Sequence, residues 1–129
     1  QQLLEQAVYK PVQGRFKVRA ISDGRCLLKG PMMGGLTVQL GPSACLEMDG
    51  VLVAVTSGKK QMLDRELFRM VGIQPEAMRV VVVKSSVHFR ADLEPHASHG
   101  LVAQAPGPMA ADPGELKWQH LSTTTRTRP

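Results

Sequence analysis

Cysteine, aromatic residues and long apolar runs are all scarce in this sequence. The two cysteines, Cys26 and Cys45, are too few for a disulfide scaffold, and their spacing matches no zinc knuckle. Buried, reduced thiols in a cytoplasmic protein account for them best. The aromatics are three Phe, one Tyr and one Trp. No basic run interleaves with them, which argues against a stacking platform for single-stranded nucleic acid. No apolar stretch approaches the roughly 20 residues that span a bilayer, so no membrane-spanning helix is expected. Gln1–Lys10 lacks the apolar centre of a signal peptide, and the chain carries no initiator Met; it reads as a piece of a longer protein.

What is present is ordinary for a folded domain. Apolar residues make up 43% of the 129 positions and charged residues 21%. The formal net charge of +5 permits a nucleic-acid partner without arguing for one, and Arg126 and Arg128 sit in a polar tail. The organisation expected is a linker over residues 1–14, one domain over 15–118 and a polar tail over 119–129.

The hydrophobic pattern predicts an α+β domain. Arg15–Ile21 alternates charged and apolar residues, as a half-buried strand with Phe16, Val18 and Ala20 on one face does. Asp23-Gly24 and Asp49-Gly50 each stand between strand-like runs and read as hairpin turns, where Gly supplies a positive φ. Gly30–Gly35 is glycine-rich, but no Gly-Lys-Ser/Thr follows and the next element is the strand Leu36–Leu40, so a wide turn is expected rather than a phosphate cradle. Gly41-Pro-Ser43 is another turn, and Ala44–Met48 and Val51–Thr56 are strands. The first half is thus a run of about five short antiparallel strands.

The second half predicts a helix–strand–helix–strand segment packed on the same mixed sheet. Leu63, Leu67, Met70 and Val71 recur at helical spacing over Leu63–Val71, with Asp64 in the first turn and Gly72-Ile73 as a Schellman stop. Val80–Val83 is four β-branched residues, as in a strand buried on both faces. Val87–Ala97 reads as a helix capped by Ser85 or Ser86 and disturbed by Pro95. Leu101–Gln104 reads as a last strand.

Few residues offer chemistry. The four histidines, His88, His96, His99 and His120, show no metal-ligand spacing; His88 and His96 lie eight apart, too wide for one ion without a ligand between. No metal site is therefore expected in this chain. Ser57, Ser85 and Ser86 stand in no Gly-x-Ser-x-Gly and read as caps or turn residues. Asp92 and Glu94, two apart on one helix, point different ways and do not form a carboxylate pair. The dense segment is Lys84-Ser-Ser-Val-His-Phe-Arg90, at a strand end and a helix start. Lys84, Ser85 and Ser86 there are candidate substrate-binding residues, and His88 and Arg90 candidate catalytic ones, suited together to an anionic or carboxylate-bearing ligand. The competing reading is that Lys84 and Arg90 are solvated and the serines only cap.

These residues carry a resemblance. Ser57-Gly-Lys-Lys-Gln61, Asp64, Phe68, Gly72-Ile73-Gln-Pro75, Val81-Val-Val-Lys-Ser-Ser86, His88-Phe-Arg-Ala91 and Ala105-Pro-Gly107 resemble the C-terminal region of MlrC-type proteins, the microcystinase C-like metallopeptidases. Ser22-Asp-Gly24, Gly30-Pro-Met32 and Gly41-Pro-Ser-Ala44 fit as well, and the likeness runs from about Arg15 to Trp118. The end at Thr125-Arg-Thr-Arg-Pro129 departs from the family's pattern. The resemblance implies a zinc-dependent hydrolase of small peptides whose Asp and His ligands lie in an N-terminal region outside this chain. It makes that region the partner of this domain and a small peptide the substrate, with zinc in the parent enzyme and no cofactor in this piece, which alone would be inactive. A different class of function stays open beside it: a stand-alone interaction module whose basic loops bind protein or nucleic acid.

Overall fold

The computed structural model describes residues 12–85, 87–103 and 112–127. The chain divides into two compact units, Gln13–Gly100 and the two terminal stretches taken together. In the first unit the strands are β1 (Lys17–Ser22), β2 (Arg25–Leu27), β3 (Thr37–Gln39), β4 (Ser43–Met48) and β5 (Val51–Thr56), followed by the helix α1 (Glu66–Arg69). This is an α+β unit. Its strands form two antiparallel sheets, one in the order β1-β4-β5 and one of β2 with β3.

Local turn chemistry explains most of the first sheet. Asp49 and Gly50 both have positive φ, 52° and 81°, as the tight turn between two directly paired strands requires, and Met48 faces Val51 across it. Asp23-Gly24 does something else. β1 pairs with β4 and β2 with β3, so this dipeptide is a corner where the chain leaves one sheet for the other, not a hairpin. Ser22 Oγ accepts the Gly24 N–H at 3.1 Å and Asp23 Oδ1 accepts the Arg25 N–H at 2.9 Å. Gly24 has φ 80°, and a Cβ there would lie 1.9 Å from the Gly41 carbonyl oxygen. Glycine is needed at this corner because another backbone runs against it. The Gly30–Gly35 stretch is the wide turn expected: Leu28 N–H donates to Leu36 O and Gly35 N–H to Leu28 O, at 2.9 and 2.8 Å.

A bulge corrects the strand face assigned to β1. Lys17 and Val18 face Glu47 and Leu46, but Ala20 faces Cys45, so Arg19 is the extra residue. Val18 therefore shares a face with Ile21, and Ala20 turns to the other.

The helix is shorter than its periodicity suggests. Asp64 Oδ1 accepts the Glu66 N–H at 2.9 Å, so Asp64 caps from outside the helix and a single turn follows. Its stop is as expected: Gly72 has φ 80°, Gly72 N–H donates to Arg69 O at 2.9 Å and Ile73 N–H to Phe68 O at 3.1 Å. This turn wedges between the two sheets. Leu67 joins Cys26, Leu28, Leu40 and Leu63 against the small sheet. Val71 and Ile73, with Phe68, cover Cys45, Ala20, Leu52 and Ala54 of the larger one, and Met70 packs on both clusters. Each fully buried aliphatic side chain here contributes about 2–3 kcal/mol through lost apolar contact with water.

Beyond Ile73 the expected segment is not built. Val80–Val83 joins no ladder among the described residues, and Val80 and Val82 are 78% and 84% exposed. The valine run reports a preference for pleated, covered surroundings, and no neighbouring strand among the described residues supplies them. Val87–Ala97 is no continuous helix; it holds two short 3-10 turns, His88–Ala91 and Glu94–His96. Pro95 removes a donor and Asp92 is drawn to Arg65, so the α ladder does not run through. The mixed sheet is likewise replaced by two antiparallel ones among the described residues.

In the second unit, the 3-10 turn Pro113–Glu115 is fixed by Asp112 Oδ1, which accepts the Gly114 N–H at 2.7 Å. Leu101 and Val102 are exposed and form no strand, and Gln104, the end of the strand expected there, lies outside the described residues. No described helix is long and apolar enough to cross a membrane.

Candidate functional site

The candidate segment begins where the valine run ends. Burial alternates along it: Val81, Val83 and Ser85 are half-buried, while Val80, Val82 and Lys84 are exposed. Ser85 Oγ accepts a long hydrogen bond of 3.4 Å from Gln61 Nε2, which links this segment to the loop after β5. Lys84, Thr56, Gly58, Lys59, Lys60 and Gln61 line an open recess of about 500 Å³.

That loop is held firmly. Ser57 Oγ donates to Pro42 O at 2.7 Å, Gly58 N–H to Leu40 O at 2.6 Å, and Thr56 Oγ1 to Gly58 O at 2.7 Å. A Cβ on Gly58 would meet Leu40 O at 3.0 Å, so the loop sits closely on the β3–β4 connection.

His88 and Arg90 follow in the turn His88–Ala91 and are exposed. Arg90 Nη1 lies 2.8 Å from Glu94 Oε1, and its guanidinium stacks 5.2 Å from the Phe89 ring centroid. The charge of Arg90 is therefore already matched by a neighbour four residues on. Ser86 lies outside the described residues. The structure thus brings Lys84 and Ser85 together with Gln61, and pairs Arg90 with Glu94.

A buried polar cluster elsewhere is one the sequence did not disclose. Asp64 Oδ2 accepts the N–H groups of Lys29 and Gly30 at 2.7 and 2.6 Å. Asp92 Oδ2 accepts the Arg65 N–H at 2.6 Å, and its Oδ1 takes the Arg65 guanidinium at 3.2 Å from Nε and 3.1 Å from Nη2. Both aspartates are buried and both abut Gly30, where a Cβ would meet Asp64 Oδ2 at 3.1 Å and Asp92 Cγ at 3.2 Å. From Asp92 the charges alternate outward through Arg65, Glu76, Arg69 and Glu66 to Lys29. Burial pushes the Asp92 carboxyl up, but the backbone N–H, guanidinium bonds and charge of Arg65 outweigh it and hold it below the usual carboxylate range. No spacing rule could find its centre, since Asp64 reaches Lys29 and Gly30 across 35 and 34 positions and Asp92 reaches Arg65 across 27.

Comparison with known families decides the assignment: the model described as MlrC C-terminus matches residues 4–120. The chain belongs to the MlrC C-terminus family. No curated protein and no solved structure matches it. The resemblance carried by Ser57–Gln61 and Lys84–Ala91 is thereby confirmed at the level of the family.

The resemblance places the zinc ligands outside this MlrC domain. Among the described residues no three His, Cys, Asp or Glu side chains converge. Asp64 and Asp92 do approach the same glycine, but their oxygens are occupied by backbone N–H groups and Arg65. Burial also pushes the Cys26 and Cys45 thiols up, away from the thiolate a metal or a nucleophile would need. The described side chains of this MlrC domain do not fit a zinc ion.

Proposed function

We propose that this MlrC domain is the C-terminal part of a zinc-dependent peptidase or amide hydrolase resembling microcystinase C, and that it completes a cleft whose metal ligands are carried by the N-terminal region of such a protein. The observation that carries this reading is the family match joined to an uncovered apolar face. In the β1-β4-β5 sheet the register puts Val18, Leu46 and Val53 in one row and Ile21, Ala44 and Val55 in the next. Val18, Ile21, Val53 and Val55 are 53%, 80%, 40% and 43% exposed. The opposite face of the same sheet is covered by Phe68, Val71 and Ile73. A contiguous apolar sheet face on one side of a small domain marks a surface that another body covers. The family's description as a C-terminus supports reading that body as an N-terminal region.

In this reading Lys84, Ser85 and Ser86 are the candidate substrate-binding residues, and His88 and Arg90 the candidate catalytic ones. The test uses a full-length MlrC protein carrying this domain, assayed on a peptide panel with and without zinc. His88→Ala is expected to lower turnover by about a hundredfold while the melting temperature stays put, because an exposed side chain on a short turn contributes little to stability. Val53→Glu with Val55→Glu is expected to release this domain from the rest, read by limited proteolysis. Unchanged turnover in the first variant removes His88 from the site, and unchanged proteolysis in the second removes the docking face.

A further inference from the structure

Five of the twelve Lys and Arg side chains in the Gln13–Gly100 unit have acidic partners. Arg19 pairs with Glu47, Lys29 with Glu66, Arg65 with Asp92 and Glu76, Arg69 with Glu66 and Glu76, and Arg90 with Glu94. The recess after β5 instead gathers three basic side chains in one place. Lys59, Lys60 and Lys84 line it together, no carboxylate lines it, and none of the three has an ion pair among the described residues. Like charges gathered around one hollow repel each other, and an anion entering the hollow relieves that repulsion.

The gathering is built by the fold. Lys59 and Lys60 follow a loop pinned to Pro42 and Leu40 by Ser57 and Gly58. Lys84 arrives from a segment more than twenty positions on, tied to the same loop by the hydrogen bond between Gln61 and Ser85. Gln61 adds a neutral N–H donor beside the ammonium groups. The hollow, at about 500 Å³, has room for a small molecule or a peptide side chain rather than a single ion.

We infer that the recess formed by Thr56–Gln61 and Lys84 binds an oxyanion-bearing ligand with two or more negative charges, such as an acidic peptide. The binding stands independently of any peptidase activity; only the identification of the anion as an acidic residue of the substrate rests on the proposed function. Lysine ammonium groups meet carboxylate and phosphate alike as point charges, so both are tested.

Calorimetric titration of the purified chain with a triglutamate peptide and, separately, with inorganic pyrophosphate decides the matter. Saturable binding is expected, weakened about tenfold when Lys59→Gln and Lys84→Gln are combined, since each exposed ion pair contributes a modest factor. Lys17→Gln, which removes one charge on β1 away from the recess, is expected to change affinity less than twofold. Tighter pyrophosphate than peptide binding, with the same loss in the double variant, upholds the site and assigns it to phosphate. Absence of saturable binding by either anion overturns the inference, as does an equal loss in the Lys17 control. If a full-length protein cleaves no peptide while the recess still binds anions, the proposed function fails and this site stands.

Discussion

The stretch from β1 to Gly72 and the stretch after it use similar residues to different ends. Val51–Thr56 and Val80–Val83 are both β-branched apolar runs, yet the first is a strand paired along its whole length and the second joins no ladder among the described residues. The difference lies in what precedes each. Asp49-Gly50 returns the chain directly onto β4, so β5 finds its partner within a few residues. Val80–Val83 follows the 3-10 turn Pro75–Ala77 and borders an apolar trough of about 750 Å³, with Leu52, Phe68, Ile73 and Met78 among its other walls. A strand preference is satisfied only when some other element offers backbone groups and a covering face.

The largest expected effect contrasts the two stretches directly. Leu28 is fully buried at the centre of its cluster, and Leu28→Ala should cost about 3–4 kcal/mol in urea unfolding of the chain. Val82→Ala, on a side chain 84% exposed, should cost less than about 0.5 kcal/mol. A comparable cost at Val82 would show that the valine run is covered in solution.

A smaller effect tests whether the late segment is tied to the early one through Asp92. Removing this carboxylate takes one of two acidic partners from the half-buried Arg65 and the acceptor from its backbone N–H, and Asp92→Ala should cost about 2 kcal/mol. The pH dependence has a definite sign. Asp92 is held below its unfolded value, so its contribution is complete above about pH 4–5, where the unfolded carboxyl is ionised too. It is lost as pH falls through the lower folded value. Asp92→Asn should therefore flatten the acid limb of the stability curve relative to the parent chain and leave the neutral-pH slope unchanged. An unaltered acid limb would disconnect the two stretches.

The smallest effect probes the hairpin that gives the first stretch its advantage. Gly50 has φ 81° and open space where a Cβ would go, so Gly50→Ala meets only the intrinsic strain of that conformation, about 1 kcal/mol by thermal unfolding. Stability unchanged by this substitution would mean that the turn does not set the register of β4 and β5.

Much of the site was legible only as composition. Lys84 and Ser85 were found as polar residues ending an apolar run, and that run and its sequel proved to be neither strand nor helix. Lys59 and Lys60 were visible as part of a family-like stretch, but no local pattern could place them with Lys84. The helical spacing puts Asp64 in the first turn; in the fold it precedes the helix and its second oxygen holds Lys29 and Gly30. Spacing gives Asp92 no carboxylate partner in Glu94, and its partner in the fold is Arg65.

The sequence by itself determined the features that close within a few residues. These are the Asp49-Gly50 hairpin, the wide Gly30–Gly35 turn, the Gly72-Ile73 helix stop and the family membership carried by its motifs. The tertiary structure alone decided the corner at Gly24, the bulge at Arg19, the pairing of β1 with β4 rather than β2, and the meeting of Lys59, Lys60 and Lys84. The physical reason is the range of the interaction. Backbone dihedral preferences and turn hydrogen bonds act between neighbours and leave a local mark, whereas packing and charge act between whatever surfaces the finished fold brings together.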